Sequence, residues 1–187
     1  MVTADHIDQL LPVYDFRAGY EIRINAPRAR VYECLLRMDF SELWLTRVLM
    51  TLRSGKRMPR NAAPADLRQR FQGTGFVILE EVPNEELVIG VAGRFWRPDG
   101  GRFMELTPSN FQEFSRTGWT KAAWNFKLAT ESANSQLTLL STETRILCLG
   151  QAARWKFGAY WSLVGPCSGL IRKELLKQVK EKAEADP

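Results

Sequence analysis

The sequence predicts an α+β domain in which a curved antiparallel sheet of six or seven strands grips one long C-terminal helix. Three observations predict it. First, Tyr14, Phe16, Ala18, Tyr20, Ile22 and Ile24 alternate with Asp15, Arg17, Gly19, Glu21, Arg23 and Asn25, the period of a strand with one wet face. Second, turn signals at Pro83-Asn84 and Pro98-Asp99-Gly100-Gly101 divide the middle of the chain into short extended runs that pair as hairpins. Third, Ala153, Phe157, Tyr160, Val164, Cys167, Ile171, Leu175 and Val179 step by three or four residues and stack in one stripe. The helix carrying that stripe, Gln151 to Ala183, is roughly 50 Å long. Something extended must cover it, and the sheet is the candidate the chain offers.

The elements follow in order. After the first strand, Asn25 and Pro27 give a helix-start signal, and a short helix runs from Arg28 to about Met38 with Val31, Leu35 and Met38 inward. Ser41 is an N-cap for a second helix with Leu45, Val48, Leu49 and Leu52 inside. Strands are expected at Phe76 to Val82, Glu86 to Trp96 and Arg102 to Leu106. Thr107-Pro108 opens a short helical turn through Phe114. Thr120 to Ala129 and Gln136 to Cys148 complete the sheet. The last strand has an ambiguous parity. Leu137, Leu139, Glu143, Arg145 and Leu147 share one face, and Thr138, Leu140, Thr142, Thr144 and Ile146 share the other. Gly165-Pro166 interrupts the long helix, since proline offers no donor to the Ser162 carbonyl, and a bend is expected there.

At 187 residues the chain reads as a single domain, 1–187, with its core at about 14–183. The longest apolar run, Leu87 to Gly93, is far short of the ~18 residues of a membrane span. Met1 to Gln9 carries Asp5, His6 and Asp8 and lacks the apolar core of a signal peptide, so it reads as a frayed or peripheral end. Cys34, Cys148 and Cys167 are an odd, scattered set, which indicates a reducing, cytoplasmic setting. The net charge is +5, and seven basic residues crowd Arg47 to Arg70 against Asp66 alone. The stretch 53–70 reads as a solvated loop able to make a weak contact with an anionic surface. It lacks the interleaved aromatics of a nucleic-acid binder.

His6 is the only histidine, so no imidazole is positioned for a Ser-His-Asp or Cys-His arrangement. No zinc-ligand spacing is present, and Gly73-Thr74-Gly75 and Gly100-Gly101 are turns rather than a dinucleotide fingerprint. No cofactor is expected.

Several phrases carry a family resemblance: Gly93-Arg94-Phe95-Trp96-Arg97-Pro98, Lys121-Ala122-Ala123-Trp124-Asn125-Phe126, Thr142-Glu143-Thr144-Arg145, and Tyr160-Trp161 followed by Gly165-Pro166-Cys167-Ser168-Gly169-Leu170-Ile171-Arg172. With the element order, they resemble the START-like helix-grip superfamily (SRPBCC), which includes polyketide cyclase/dehydrase-like proteins, and most of all a bacterial branch of it. The resemblance covers about Tyr14 to Ala183. It implies the fold and a cavity between sheet and C-terminal helix, and it supplies no catalytic residue. Iron–sulfur ligands of some larger relatives are absent.

Trp96, Trp124, Phe126, Phe157, Tyr160 and Trp161 fall on segments that should face each other, as cavity lining or as core. Glu143 and Arg145 form the sharpest polar pair. With the leucine-rich face inward they and Arg94 would orient a ligand's polar end; with it outward they form an ion pair or a solvated face. Cys148 and Cys167 read as packing. The expected function is binding of a small hydrophobic or amphipathic molecule by a carrier, sensor or sequestering protein. The alternatives are a cofactor-independent cyclase or dehydratase using Glu143 with Arg145 or Arg94, and an interaction module with a filled core.

Overall fold

The computed structural model describes residues 5–38, 66–97, 99, 101–103, 105–130 and 136–185. In chain order the elements are α1 (His6–Leu10), β1 (Phe16–Ile24), α2 (Arg28–Leu36), α3 (Leu67–Phe71), β2 (Phe76–Val82), β3 (Glu86–Gly93), α4 (Pro108–Phe111), β4 (Trp119–Thr130), β5 (Thr138–Leu149) and α5 (Gln151–Glu184). The strands form one antiparallel sheet in the order β1-β5-β4-β3-β2. The second short helix expected from Ser41 and most of the basic run lie outside the described residues.

Among the described residues five strands form where six or seven were expected. Residues 102–106 contribute a single bridge, Arg102 to Gly93, and the Phe103 N–H donates to the Ala92 carbonyl at 2.8 Å. The segment then leaves the ladder, because Phe103 and Leu106 pack with Ala92 and Phe111 against the face of the sheet turned away from α5. Thr107 ends the excursion by capping α4 reciprocally with Asn110.

Both faces of the sheet are covered. On the concave face, Ala153 and Phe157 of α5 pack with Val91, Ala122 and Ile146. Leu175, Leu176, Val179 and Ala183 join Leu128, Leu140, Val31 and Leu35. On the outer face, Ile7 and Leu11 pack with Val88, Ala92 and Ala123. The N-terminal segment, read as peripheral, is therefore a strap, with Ile7 fully buried. Trp155, on the back of α5, is 77% exposed.

The β5-to-α5 reversal is made at Gly150, whose φ of 105° lies where a Cβ would clash. The helix returns over β1 and β5. Tyr20 on β1 sets how closely it can approach, because its ring and hydroxyl lie against the backbone of Gly169, where a methyl group would overlap the hydroxyl. Helix propensity alone would make Gly169→Ala stabilising by about 1 kcal/mol. Overpacking costs about 1–3 kcal/mol, so the steric effect should win. Thermal melts should show Gly169→Ala less stable than wild type, with Gly169→Ala/Tyr20→Phe regaining part of the loss. A single variant that melts at or above wild type would show that Tyr20 moves aside freely.

Candidate functional site on the concave face

The seam between α5 and the sheet is closed at both ends and open in the middle. Ala153 and Phe157 are buried near the start of the helix, and Leu175, Leu176, Val179 and Ala183 near its end. Between them Gly169 is buried against Tyr20, but the other inward positions Tyr160, Trp161, Val164, Ser168, Ile171 and Arg172 are only half-buried. The sheet shows the same gap. Thr120, Ala122, Phe126 and Leu128 line the concave face of β4 and are buried, whereas Trp124 among them is only partly buried. Trp124 sits opposite Thr144 on β5 and Ile89 on β3, in the middle of the central strand. A position so central is normally the best covered in a sheet packed under a helix.

Two aromatic groups border this opening. On the sheet side Trp124 meets Phe76 at 5.3 Å and Phe71 at 6.1 Å between centroids, both edge-on. On the helix side Phe157 stacks on Trp161 at 5.5 Å and meets Tyr160 at 5.8 Å and Phe16 at 5.0 Å. Trp96 and Phe95, from the turn after β3, pack against the same group. Such edge-on and stacked arrangements present ring faces and edges to any molecule seated between them.

Polar groups are few here. Thr120, Thr138 and Thr142 each donate their hydroxyl to a backbone carbonyl, those of Gly93, Ala26 and Asn125. Thr144 instead accepts from Nη2 of Arg172 at 2.7 Å, and Nη1 of the same arginine reaches the Ser168 hydroxyl at 2.7 Å. At the β2 edge Glu81 accepts from Tyr32 and Arg68. The Arg68 hydrogen bond holds the Glu81 carboxyl below its ordinary value, which keeps it an ion-pair member rather than a proton donor.

A five-stranded antiparallel sheet thus holds one terminal helix against its concave face. The fold is a helix grip. No family model and no curated protein matches the chain. Solved structures similar to this helix grip include a conserved protein from Geobacillus kaustophilus, 14% identical, covering 91% of this chain and 96% of that one, with a TM-score of 0.45. Another is the di-domain ARO/CYC protein BexL of the BE-7585A biosynthetic pathway, 16% identical, with a TM-score of 0.41. The match covers 92% of this chain and 51% of BexL, so the chain spans about half of that protein. A third is the Zhui aromatase/cyclase from Streptomyces sp. R1128, 12% identical, covering 91% and 96%, with a TM-score of 0.28. Among the described residues of the helix grip, no helix is long and apolar enough to cross a membrane.

The nine residues singled out in the sequence divide between the two faces. Trp96, Trp124, Phe157, Tyr160 and Trp161 come together on the concave side. Phe126 shares that face but is buried within the closed part of the core. Arg94, Glu143 and Arg145 do not join them. Thr138, Thr142 and Thr144 turn toward α5, so Glu143 and Arg145 point to the outer face. There Arg145 is buried beneath the N-terminal strap, donating to Glu143 at 2.6 Å, to Asp8 at 2.5 Å and to the carbonyls of Ile7 and Leu11. Arg94 lies over the ring of Trp119, with Arg116 also against that ring. The ligand-orienting and proton-transfer roles considered for these three residues would require the concave side, which they do not reach. Burial pushes the Cys148 thiol up to about 12, which fits packing.

Sequence reading missed Tyr20, Phe71, Phe76, Thr144 and Arg172. Arg172 carried one signal. Ser168, Leu175 and Leu176 stand three or four residues away on the buried side of the helix, which places its side chain inward rather than in solvent.

Burial raises the Glu143 carboxyl, but hydrogen bonds and charge from Arg17 and Arg145 outweigh it and hold the group below its ordinary value. A depressed folded-state value means stability that is complete above the unfolded value, near 4.3, and is lost as pH falls through the folded one. Glu143→Gln should therefore cost about 1–3 kcal/mol at pH 7, and the gap between the two proteins should shrink in acid. Urea titrations from pH 7 down to pH 3 check this; a gap that is constant or widens with acid contradicts it.

Proposed function

We propose that this chain binds one small, largely apolar, ring-bearing molecule between the concave face of the sheet and the middle of α5, as a carrier, sensor or sequestering protein. One observation carries the reading. Trp124 stands at the centre of the central strand and is only partly buried, while its concave-face neighbours on β4 are buried. A filled core would cover it as completely as Phe126. Its aromatic partners Phe71 and Phe76 meet it edge-on rather than stacked.

The energetics favour an apolar guest. A ligand covering ~200 Å² of aromatic protein surface gains about 5 kcal/mol at ~25 cal/mol per Å², before the costs of ordering. Bulky rings on both walls make shape, rather than a dense hydrogen-bond code, the main selector. The cyclase or dehydratase reading is not favoured, because the carboxylate it relied on, Glu143, lies across the sheet from this opening.

Methyl naphthoate is a suitable neutral probe. It should quench the protein's tryptophan emission saturably and raise the melting temperature. Trp124→Leu, which keeps an apolar side chain at the position, should weaken its binding about two- to tenfold, the range set by loss of an aromatic pair. Native mass spectrometry of freshly purified protein should show a co-purifying small molecule. Equal binding by wild type and Trp124→Leu would sink the proposal.

A further inference from the structure

Arg172 is an inward-facing cation on the concave side for which the described residues provide no counter-charge. It reaches from α5 to β5, and its acceptors are the Ser168 carbonyl, the Ser168 hydroxyl and the Thr144 hydroxyl. All three are neutral. A guanidinium has five N–H donors. Those contacts engage both Nη1 protons and one on Nη2, leaving Nε and the second Nη2 proton without an acceptor among the described residues. The Thr144 hydroxyl, already accepting from Arg172, still carries its own proton, for which no acceptor is present among them. Unused donors thus converge at one point beside the opening.

The same protein shows what a buried structural arginine looks like. Arg145 on the outer face receives two carboxylates, Glu143 and Asp8, and two backbone carbonyls. Its charge is neutralised within the fold. Arg172 is half-buried, and a partly desolvated charge without that provision carries a cost that an acidic partner would relieve. Burial accordingly pulls the Arg172 guanidinium below its ordinary value, opposed by the Tyr20 phenol and by no carboxylate among the described residues. Placement supplies the second half of the case. Thr144 is directly cross-strand from Trp124, so the donors lie at the polar end of the aromatic floor. Tyr20, the neighbour of Thr142 on β1, adds a phenol on the same side.

We propose that Arg172, with Thr144, is the anchor for an acidic group on the bound molecule: a carboxylate docks on the guanidinium while its apolar body lies on Trp124. The ligand class is therefore an amphipathic acid rather than a neutral hydrocarbon. A carboxylate takes the free Nε and Nη2 donors side by side, the geometry in which arginine binds it best. The proposal rests on the binding reading above and narrows it.

The test uses naphthoate and its methyl ester as paired probes, titrated calorimetrically into the full chain at pH 7. Wild type should prefer the acid by about tenfold or more, the range of a charge-assisted hydrogen-bonded pair. In Arg172→Met the preference should vanish while the ester binds as before, and the apo variant should melt at or above the wild-type temperature. Thr144→Val, which leaves the cation in place, should reduce the preference without changing ester binding. It also decides the matter if Arg172→Met fails to fold. An acid preference that survives in Arg172→Met or Thr144→Val with ester binding intact overturns the proposal and leaves the binding reading standing. So does a wild type that binds both probes alike. Failure of wild type to bind even the ester removes the binding reading, and this inference with it.

Discussion

The structure depends on how α5 seats against the sheet. The helix is anchored at two places rather than along its whole length. Phe157 and Ala153 enter an aromatic and aliphatic cluster near its beginning, and Leu175, Leu176, Val179 and Ala183 join the core shared with α2 near its end. A helix held firmly at two points can leave its middle under-packed, because the interior cost of incomplete contact is offset by burial on either side. Gly169 and Tyr20 fix the separation at that middle. Functional groups can then stand in the seam without having to satisfy close packing.

The outer face solves a different problem. β5 lies between β1 and β4 and presents side chains on both sides, so neither face can be left to water. The N-terminal strap covers it, and its polar attachments are dense. Besides the contacts of Arg145, the N–H of His6 donates to Glu86 at 2.9 Å, Asn125 donates to the other oxygen of Glu86 at 2.6 Å, and Lys127 pairs with Asp5. Lys121 bonds the carbonyls of Phe111 and Gln112 at the end of α4. Most of these networks match buried charge with opposite charge; Lys121, held among the described residues by neutral carbonyls and the Phe111 ring alone, is a structural exception, so what sets Arg172 apart is its place beside Trp124.

Much of the fold was legible because much of it is half-wet. β1 alternates cleanly since Arg17, Glu21 and Arg23 face water, and α5 shows its stripe since Arg154, Lys156, Ser162, Lys173 and Lys177 are exposed, although Trp155, Leu163 and Leu170 lie on the solvent side too. β5 was not legible in the same way. With cover on both faces, hydrophobicity loses its period and the threonines carry no sign of direction. The strap was hidden for a related reason: α1 has five residues, and Ile7 and Leu11 alone give too short a pattern to read as a helix. The aromatic wall was found because large rings announce themselves in any register. Arg172 was not, because a charged residue on a long helix is ordinarily solvated, and only the approach of Thr144 from another strand shows otherwise.

The strand order has a consequence for how the chain is made. β1 pairs with β5 alone among the strands, and Arg17 meets Glu143 across 126 residues of intervening sequence. During N-to-C synthesis, β1 has no edge to join until β5 has emerged, whereas β2, β3 and β4 can zip as consecutive hairpins. Non-local pairings of this kind slow folding and leave apolar strands waiting. β1 thus waits longer than its neighbours to be sheathed, and Tyr20 and Ile22 remain open to wrong partners until β5 arrives.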